Sequence, residues 1–328
     1  YYWMSYAAET LRNRGYARHY TLLKECFIPL PPIEEQKRIA SKIKTILPFI
    51  EKYEYLENKR TLLDSSFPNL LKKSILQEAI QGKLVPQIPE ERTAQELLEQ
   101  IRQEKQKLVK EGKLKKFALS DSVIYKGDDN KYYEQVGKSD KEITEEIAFD
   151  LPNGWSWCRL KDICSIFTGA TFKKEETVTT KEGVRILRGG NISPFELRIK
   201  DDDIFLTKDK VKEDIILKEN DILTPAVTSL ENIGKMVRVN SDMPNTTVGG
   251  FVFIIRLYLK NQWLSKYILY LLSSPFMIDF MKSITNKSGQ AFYNIGKERL
   301  STALLPIPSL AEQHRIVAQI EKLFEQLR

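Results

Sequence analysis

The chain has 328 residues, of which 42% are hydrophobic and 29% are charged, and its formal net charge is +7. This length suits two or three domains, and the composition is that of a globular protein rather than a disordered or fibrous one. The basic balance is compatible with a polyanionic partner, although many proteins without such a partner share it. The longest apolar stretch, 267–281, is interrupted by polar residues. It is shorter than the roughly 20 residues of a membrane-spanning helix, so no membrane partner is expected.

The cysteines, Cys26, Cys158 and Cys164, are odd in number and form no CxxC pair. Neither a disulfide framework nor a zinc site is indicated, and a reducing cytoplasm is the simplest location. The chain opens at Tyr1 rather than at an initiator methionine. We expect it to be part of a longer protein.

The N-terminal part of the chain predicts the end of one domain followed by a long helix. Residues 1–26 end in an aliphatic and aromatic run, and prolines then stiffen the chain before a helix that starts near Glu34. Apolar side chains follow at spacings of four and three residues, which is typical of a coiled-coil seam. They are Ile39, Ile43, Ile46, Ile50 and Tyr53. Pro48 is expected to kink this helix, Pro68 to begin a second helical segment, and Gly82 to end it.

An internal repeat relates residues 29–44 to residues 306–321 at an offset of 277, with seven identities in sixteen positions. Repeats of this kind indicate an architecture that uses one element twice. The seam reappears in the second copy as Ile316, Ile320, Leu323 and Leu327. We therefore predict that the two helices pair in an antiparallel coiled coil within a pseudo-two-fold scaffold.

Between the two copies, the pattern changes from helical to mixed. Residues 90–116 predict a solvated surface helix, and 121–150 are polar and irregular, which favours a linker. Short β-rich runs with Gly, Asn and Asp turns then predict strands near 185–187, 204–206, 221–223, 236–239 and 249–257. Two amphipathic helices are predicted at 262–273 and 275–284. Together these elements predict an α/β or α+β domain of about 150 residues.

Four segments of the chain resemble the specificity subunit of type I restriction-modification systems. They are PLPPIEEQKRIASKI at 29–43, LKKSILQEAIQGKLVP at 71–86, LPNGWSWC at 151–158 and PIPSLAEQHRIVAQI at 306–320. In that family, two target-recognition domains alternate with two long helical conserved regions. The resemblance implies a remnant of a first recognition domain at 1–26 and a central helical region at 27–117. A linker at 118–150, a second recognition domain at 151–303 and the start of a distal helical region at 304–328 follow.

The resemblance implies a DNA-binding subunit without chemistry of its own. The recognition domain would read one half of a bipartite target, and the helices would act as a spacer and as a docking site for methyltransferase subunits. Because most of the first recognition domain is missing, the chain either lacks one half of the target reading or is a truncated product that dimerises to restore the symmetry. The first helix, at roughly 50 Å, is longer than the ~34 Å turn of DNA. Changing its length should therefore change the spacing of the half-sites without changing the bases that are read.

The residues themselves offer little for catalysis. The chain has no GxxxxGK[ST] loop, no HExxH and no Asn or Asp followed by Pro-Pro-aromatic, and its histidines are His19 and His314, the latter expected on a helix surface. We expect no cofactor, no metal and no enzymatic activity. Two alternatives are a stand-alone DNA-modifying enzyme and a helical scaffold that binds only protein.

Candidate DNA-binding residues lie in four loops of the 151–303 domain. Lys and Arg neutralise phosphates, while Asn, Gln, Ser and Thr present donors and acceptors to base edges. The loops span 168–174, 185–191, 224–235 and 286–294. The candidates are Lys173, Lys174, Arg188, Asn191, Thr228, Ser229, Lys235, Lys287, Gln290, Tyr293 and Asn294. The alternative for each of them is an ordinary solvated loop residue.

Polar residues also recur at the two helix starts. They are Glu35, Gln36 and Arg38 in the first copy and Glu312, Gln313 and Arg315 in the second. One hypothesis places methyltransferase subunits on the outward faces of these helices. The other is that these residues cap the helices and fasten the chain to the recognition domain.

Overall fold

The computed structural model describes residues 29–115, 122–178, 182–289 and 291–327, except for the side chain of Ser65. The chain divides into two compact units, Tyr1–Ser66 and Phe67–Arg328. The predicted remnant at 1–26 lies outside the described residues. None of the described helices is both long and apolar enough to cross a membrane.

The described residues form seven α-helices. The α-helices are α1 (Ile33–Ile80), α2 (Ala94–Lys110), α3 (Leu160–Ile163), α4 (Gln262–Leu272), α5 (Pro275–Ser283), α6 (Lys297–Ser301) and α7 (Leu310–Gln326). The helices predicted at 262–273 and 275–284 are confirmed as α4 and α5. Asn261 caps α4, because its side chain accepts hydrogen bonds from two backbone N–H groups of the first turn.

The first helix is longer than predicted. α1 is one helix through Pro48 and Pro68, so the predicted second start at Pro68 is wrong. A proline removes a single N–H donor, and the helix-forming residues on both sides of it supply the remaining bonds. The predicted stop is confirmed, because Gly82 has a φ of 69° and the amides of Gly82 and Lys83 bond back to Ala79 and Glu78. This pairing is the Schellman motif, in which a glycine takes the left-handed position.

In the smaller unit, the predicted seam of α1 is exposed. Ile43 is 54% exposed, Ile50 is 52% exposed and Tyr53 is 68% exposed. The coiled coil through these residues stays a prediction.

The helix predicted at 90–116 is present but is not simply a solvated one. Ala94, Leu97 and Ile101 of α2 are buried, and Lys105 lies with its Nζ 5.0 Å from the centre of the Tyr258 ring. These positions recur every three or four residues and form one face, which packs into the core. The opposite face carries the charges that suggested a surface helix.

Strands fill the region between α2 and α4 and return before α7. The strands of the first half are β1 (Ser122–Lys126), β2 (Tyr132–Val136), β3 (Ser139–Glu142), β4 (Ser156–Arg159), β5 (Cys164–Thr168), β6 (Thr177–Val178), β7 (Val184–Leu187), β8 (Ile192–Ser193) and β9 (Glu196–Leu197). Those of the second half are β10 (Ile204–Leu206), β11 (Ile222–Pro225), β12 (Val227–Thr228), β13 (Val237–Arg238), β14 (Thr246–Val248), β15 (Val252–Leu257), β16 (Thr285–Ser288), β17 (Phe292–Ile295) and β18 (Leu304–Ile307). The five predicted strands correspond to β7, β10, β11, β13 and β15.

Two four-stranded sheets form the centre of the mixed domain that begins near residue 151, in the orders β14-β7-β10-β6 and β13-β11-β15-β5. Their pairs are antiparallel except for β14 and β7, which run parallel. A three-stranded sheet, β12-β17-β16, and the pairs β18-β4 and β8-β9 complete the domain. The fold is thus a mixed helix and strand fold, as predicted at the level of class.

The segment 118–150, predicted to be a linker, contains an antiparallel sheet in the order β1-β2-β3. Gly137 takes a φ of 62° in the tight turn that joins β2 to β3, a conformation that suits glycine. Charged residues flank the short apolar alternation, and this is why the sequence favours a loop. The expectation of irregular structure is therefore corrected.

A buried arginine fastens this sheet to the mixed domain that follows it. Arg159 of β4 donates from Nε and Nη2 to the two carboxylate oxygens of Glu134, at 3.1 and 2.6 Å. Its Nη2 also lies 2.8 Å from a carboxylate oxygen of Glu146, and its Nη1 donates to the carbonyl of Thr302 at 2.8 Å. Burial raises the pKa of Glu134, but the hydrogen bonds and charge of Arg159 outweigh it, so the pKa lies below its ordinary value.

One core joins the helices of the larger unit. It contains the end of α1, from Ile75 to Ile80, with α2, α4, α5 and α7, and Ile316 and Ile320 of α7 are fully buried in it. Lys72 lies over the ring of Phe324, whereas Gln87, beyond the end of α1, bonds to Glu312 near the start of α7. The last turns of α1 therefore run antiparallel to helix α7. The second seam packs against residues 71–80 and α4 within this chain, while its pairing with the first seam stays a prediction.

Candidate functional site

Three of the four segments that carry the family resemblance meet at one place. Gly82 ends α1 directly beside the turn at 151–155, and a Cβ atom on Gly82 would overlap Pro152 and press against the ring of Trp155. Glycine is thus required both by the left-handed φ and by the close approach of this turn. The start of α7 also contacts Trp155, because the indole Nε1 donates to Glu312. We call the contact among Gly82, Gln87, Glu91, Trp155, Glu312 and Arg315 the junction.

A buried carboxylate is at the centre of the junction. Glu312 is 4% exposed, and its two oxygens accept hydrogen bonds from Trp155 Nε1 at 3.0 Å and from Gln87 Nε2 at 2.7 Å. Its backbone N–H donates to the side chain of Ser309, which caps α7. Burial raises the pKa of Glu312, although the two N–H donors and the charge of Arg315 act in the opposite direction. The carboxylate thus connects three segments that are distant in sequence.

Arg315 closes the junction one turn further along α7. Its Nε and Nη2 donate to the two carboxylate oxygens of Glu91 at 3.0 and 2.7 Å, and its Nη1 donates to the carbonyl of Pro86 at 2.8 Å. Gln313 is buried, and its Nε2 donates to the carbonyl of Pro308 at 3.0 Å. In the second copy of the repeat, these contacts support the hypothesis that the polar residues fasten the chain. Trp155, Gln87 and Glu91 were not predicted, although all three lie in or beside the quoted segments.

The sheet β12-β17-β16 brings four of the predicted DNA-binding residues together. Thr228 lies opposite Tyr293, Tyr293 lies opposite Lys287, and Asn294 is the next residue of β17. Gly289, with a φ of 75°, follows β16 at the end of this hairpin. We call the antiparallel pair of strands β16 and β17 the ribbon.

The two faces of the ribbon differ. Ile295 is buried, so the side chains that alternate with it point away from the domain. Asn294 with its partner Asn286, and Phe292 with its partner Ser288, form this outer face. Phe292 is 55% exposed. Asn286 and Phe292 were not among the predicted contacts, although 286–294 was a predicted DNA-binding loop.

The charged residues within the stretch 280–297 are all basic, although Asp279 and Glu298 border it. Residues 280–297 contain Lys282, Lys287 and Lys297 and no aspartate or glutamate. All three lysines are exposed. A phosphate backbone could therefore approach the ribbon without meeting a carboxylate from this stretch of chain.

The remaining candidates are placed less favourably. Asn191 is buried and its amide donates to Asp203 and to the carbonyl of Arg198, so the expectation of a free loop amide is corrected. Thr228 is also buried, because it lies on the inner face of its sheet. Arg188 is exposed, but its Nη2 lies 3.3 Å from Asp202.

The predicted loop residues outside the ribbon have different surroundings. Lys173 and Lys174 are exposed in a separate loop, while Ser229 and Lys235 are half-buried in the segment that follows β12. Tyr293 is half-buried, and Gln290 lies outside the described residues. His314 is exposed on α7, as predicted, against the ring of Trp263. Within the described ranges, no group of three or more His, Cys, Asp and Glu side chains could hold a metal ion.

The family model for the type I restriction modification DNA specificity domain matches residues 152–328. This is more than half of the chain, and the chain belongs to that family. The type I restriction enzyme EcoAI specificity subunit of Escherichia coli is 28% identical over 353 residues, which cover 91% of this chain and 53% of that protein. The EcoEI specificity subunit of the same organism is also 28% identical, over 78% of this chain and 40% of that protein. The chain thus spans about half the length of the curated relatives that it matches.

A solved structure has the same fold. It comes from work on complex assembly and conformational transition of the type I R-M system, and it superposes with a TM-score of 0.55 at 19% identity. The match covers 98% of this chain and 60% of the other.

Proposed function

We propose that this chain recognises double-stranded DNA within a type I restriction-modification specificity subunit, and that its domain at 151–303 reads one half of a bipartite target. The family match over 152–328 and the names of the relatives support this role. The observation that assigns DNA recognition to particular residues is the ribbon, which has paired asparagines and nearby lysines.

The outer face of the ribbon fits a groove of DNA. A two-stranded ribbon can enter the major groove, where asparagine donates to and accepts from adenine and an apolar side chain contacts the thymine methyl group. Asn286, Asn294 and Phe292 supply these groups side by side. Lys287 binds a phosphate, and this contact adds affinity without sequence preference.

The helical regions have an assembly role in this proposal. α1 sets the distance between two recognition domains, and the helices provide the docking surface for methyltransferase subunits. The chain has no catalytic role of its own, and modification and cleavage are carried out by other subunits. The junction supports the assembly role, because it ties the distal helix, the end of the central helix and the recognition domain to each other.

A binding selection tests the proposed function. The purified chain, with and without a methyltransferase subunit, is incubated with a random-sequence duplex library at two salt concentrations. Enrichment of one short motif, or of that motif twice at a fixed spacing, is expected. Salt-sensitive binding without enrichment would contradict sequence-specific recognition and favour a basic scaffold protein.

A methyl-transfer assay with the purified chain alone separates this proposal from the stand-alone enzyme. No transfer is expected until a methyltransferase subunit is added. Transfer by the chain alone would refute the non-catalytic role.

A further inference from the structure

One phenylalanine is exposed at a turn between two buried strands. Phe251 lies in the short turn that joins β14 to β15, and it is 73% exposed although both strands are largely buried. Single apolar residues are common on protein surfaces and need no explanation by themselves. Phe251 differs from these because its turn lies where the predicted DNA-binding loops meet.

Backbone contacts join this turn to the first two of those loops. Ala170, in the 168–174 loop, forms an isolated β-bridge with Gly249. The N–H of Gly249 donates to the carbonyl of Leu187, in the 185–191 loop, at 2.8 Å. The first residue of the turn region is therefore bonded to one loop and paired with the other.

The other two loops meet the turn through Ala226. This residue belongs to the 224–235 loop, and its N–H donates to the carbonyl of Phe251 at 2.8 Å. Its own carbonyl accepts from the N–H of Ile295, directly after the 286–294 loop, at 2.8 Å. The turn at 249–251 thus adjoins all four predicted loops.

Close packing fixes the backbone of this turn. A Cβ atom on Gly250 would lie 2.9 Å from Thr171 Oγ1, and one on Gly169 would overlap the backbone of Val248. A rigid turn holds the ring of Phe251 in place before binding, so that little conformational entropy is lost when a ligand covers it. The glycine before Phe251 also leaves the ring unshielded on that side.

The segments that meet at the turn carry no carboxylates of their own, although acidic residues border each of them. They are 163–174, 183–195, 222–230 and 243–278. Lys173 and Lys174 are exposed in the first of them. A polyanion can therefore approach the ring without meeting a carboxylate from these segments.

We propose, resting on the DNA recognition proposed above, that Phe251 is a wedge that enters the stack of DNA bases at one step of the target. An aromatic ring stacks on any base, and apolar side chains that insert between base pairs unstack the step and kink the duplex. Pyrimidine–purine steps are the most easily unstacked. Phe251 therefore adds a preference for such a step to the bases that the ribbon reads. Two strand spacings of about 4.8 Å separate Phe251 from β17, so this step lies within about three base pairs of those bases.

The test uses the purified chain and the duplex that it enriches in the binding selection. 2-Aminopurine replaces each adenine in turn, since the flexible steps TA and CA/TG all contain an adenine, and its fluorescence rises when the base is unstacked. The wild-type chain should raise the fluorescence at one step. Phe251→Ala should abolish this rise at saturating protein and weaken binding by about tenfold, which corresponds to the loss of one stacked base.

Two further variants complete the design. Phe251→Trp should keep both the fluorescence rise and the affinity, because it retains a flat apolar face. Tyr125→Ala is the matched control, since Tyr125 is a 40% exposed aromatic residue of the β1-β2-β3 sheet, and it should change neither. Urea denaturation should show equal stability for Phe251→Ala and the wild type, because the ring is exposed.

The outcomes separate this proposal from DNA recognition itself. An enriched motif that gives no fluorescence rise, or the same rise and affinity with Phe251→Ala, would overturn the wedge and leave DNA recognition intact. If Phe251→Ala loses only assembly with a methyltransferase subunit, Phe251 is a protein contact and the wedge is wrong. If no motif is enriched, sequence-specific recognition fails and the wedge fails with it.

Discussion

Replacement of Arg315 by methionine tests whether the junction holds the distal helix in place. The substitution keeps much of the aliphatic stem and removes the three hydrogen bonds to Glu91 and to Pro86. The side chains of Arg315 and Glu91 are 27% and 19% exposed, so water screens the pair only in part. A hydrogen bond to a charged group contributes roughly 1.5–3 kcal/mol when buried. Allowing for the remaining exposure, we expect Arg315→Met to lower the free energy of unfolding by about 2 kcal/mol.

A second arginine provides the control. Arg198 binds Glu196 through Nε and Nη2 at 2.9 and 2.6 Å, but these side chains are 58% and 57% exposed. Arg198→Met should cost less than about 0.5 kcal/mol, because exposed pairs contribute little. Urea denaturation of both variants, and of the Glu91→Met and double variants, measures the cost and the coupling energy. Equal costs for Arg315→Met and Arg198→Met, or no coupling between Arg315 and Glu91, would refute the argument.

Other substitutions test the same structure. Gly82→Ala should cost about 1–2 kcal/mol for its left-handed φ and more for the overlap with Pro152, whereas Gly112→Ala, with a φ of 71° and open space around it, should show the first cost alone in urea denaturation. Arg159→Met should cost about 3–5 kcal/mol, because it leaves the buried Glu134 carboxylate without its partner, and a cost below 1 kcal/mol would contradict this. The pKa of Glu312 is raised, so its contribution to stability is present below the unfolded pKa of about 4.3 and is lost as pH rises through the folded pKa. As the pH rises through the folded pKa of Glu312, the free energy of unfolding of Glu312→Gln should therefore fall less than that of the wild type. Parallel pH profiles of the two free energies of unfolding would contradict this expectation. Inserting one helical turn into α1 before residue 66 should change the spacing between half-sites in a binding selection while leaving the selected bases unchanged.

The sequence predicts those elements in which capping residues and amphipathic spacing agree with the packing of the folded chain. α4 and α5 follow from amphipathic spacing with a cap or a proline at the start, and Gly82 was identified because a glycine after a periodic stretch ends helices. The break at Pro68 was wrong, because the neighbouring residues continue the helix through a single missing donor. The sheet β1-β2-β3 was missed, since the buried partners of Arg159 that fasten it are distant in sequence.

The DNA-binding role of the candidate residues stays a prediction. Lys287 and Asn294 were chosen because basic and amide residues in a loop are typical of DNA contacts, and the structure places both on the ribbon. Asn191 was misjudged, because the composition of its loop cannot reveal that the Asn191 amide donates a hydrogen bond to Asp203. The junction shows the same limit. The motifs were visible, but only the fold brings Trp155, Gln87 and Glu312 to hydrogen-bonding distance.

The most direct test of DNA reading by the ribbon compares the motifs selected by three variants with that of the wild-type chain. Asn294→Ala should relax the preference at one or two base positions, because it removes an amide from the outer face. Lys287→Ala should weaken binding to all sequences alike and lower its salt dependence, and Lys138→Ala, at an exposed turn of the β1-β2-β3 sheet, should change neither. If Asn294→Ala selects the wild-type motif with the same preference at every position, the ribbon is not the reading element.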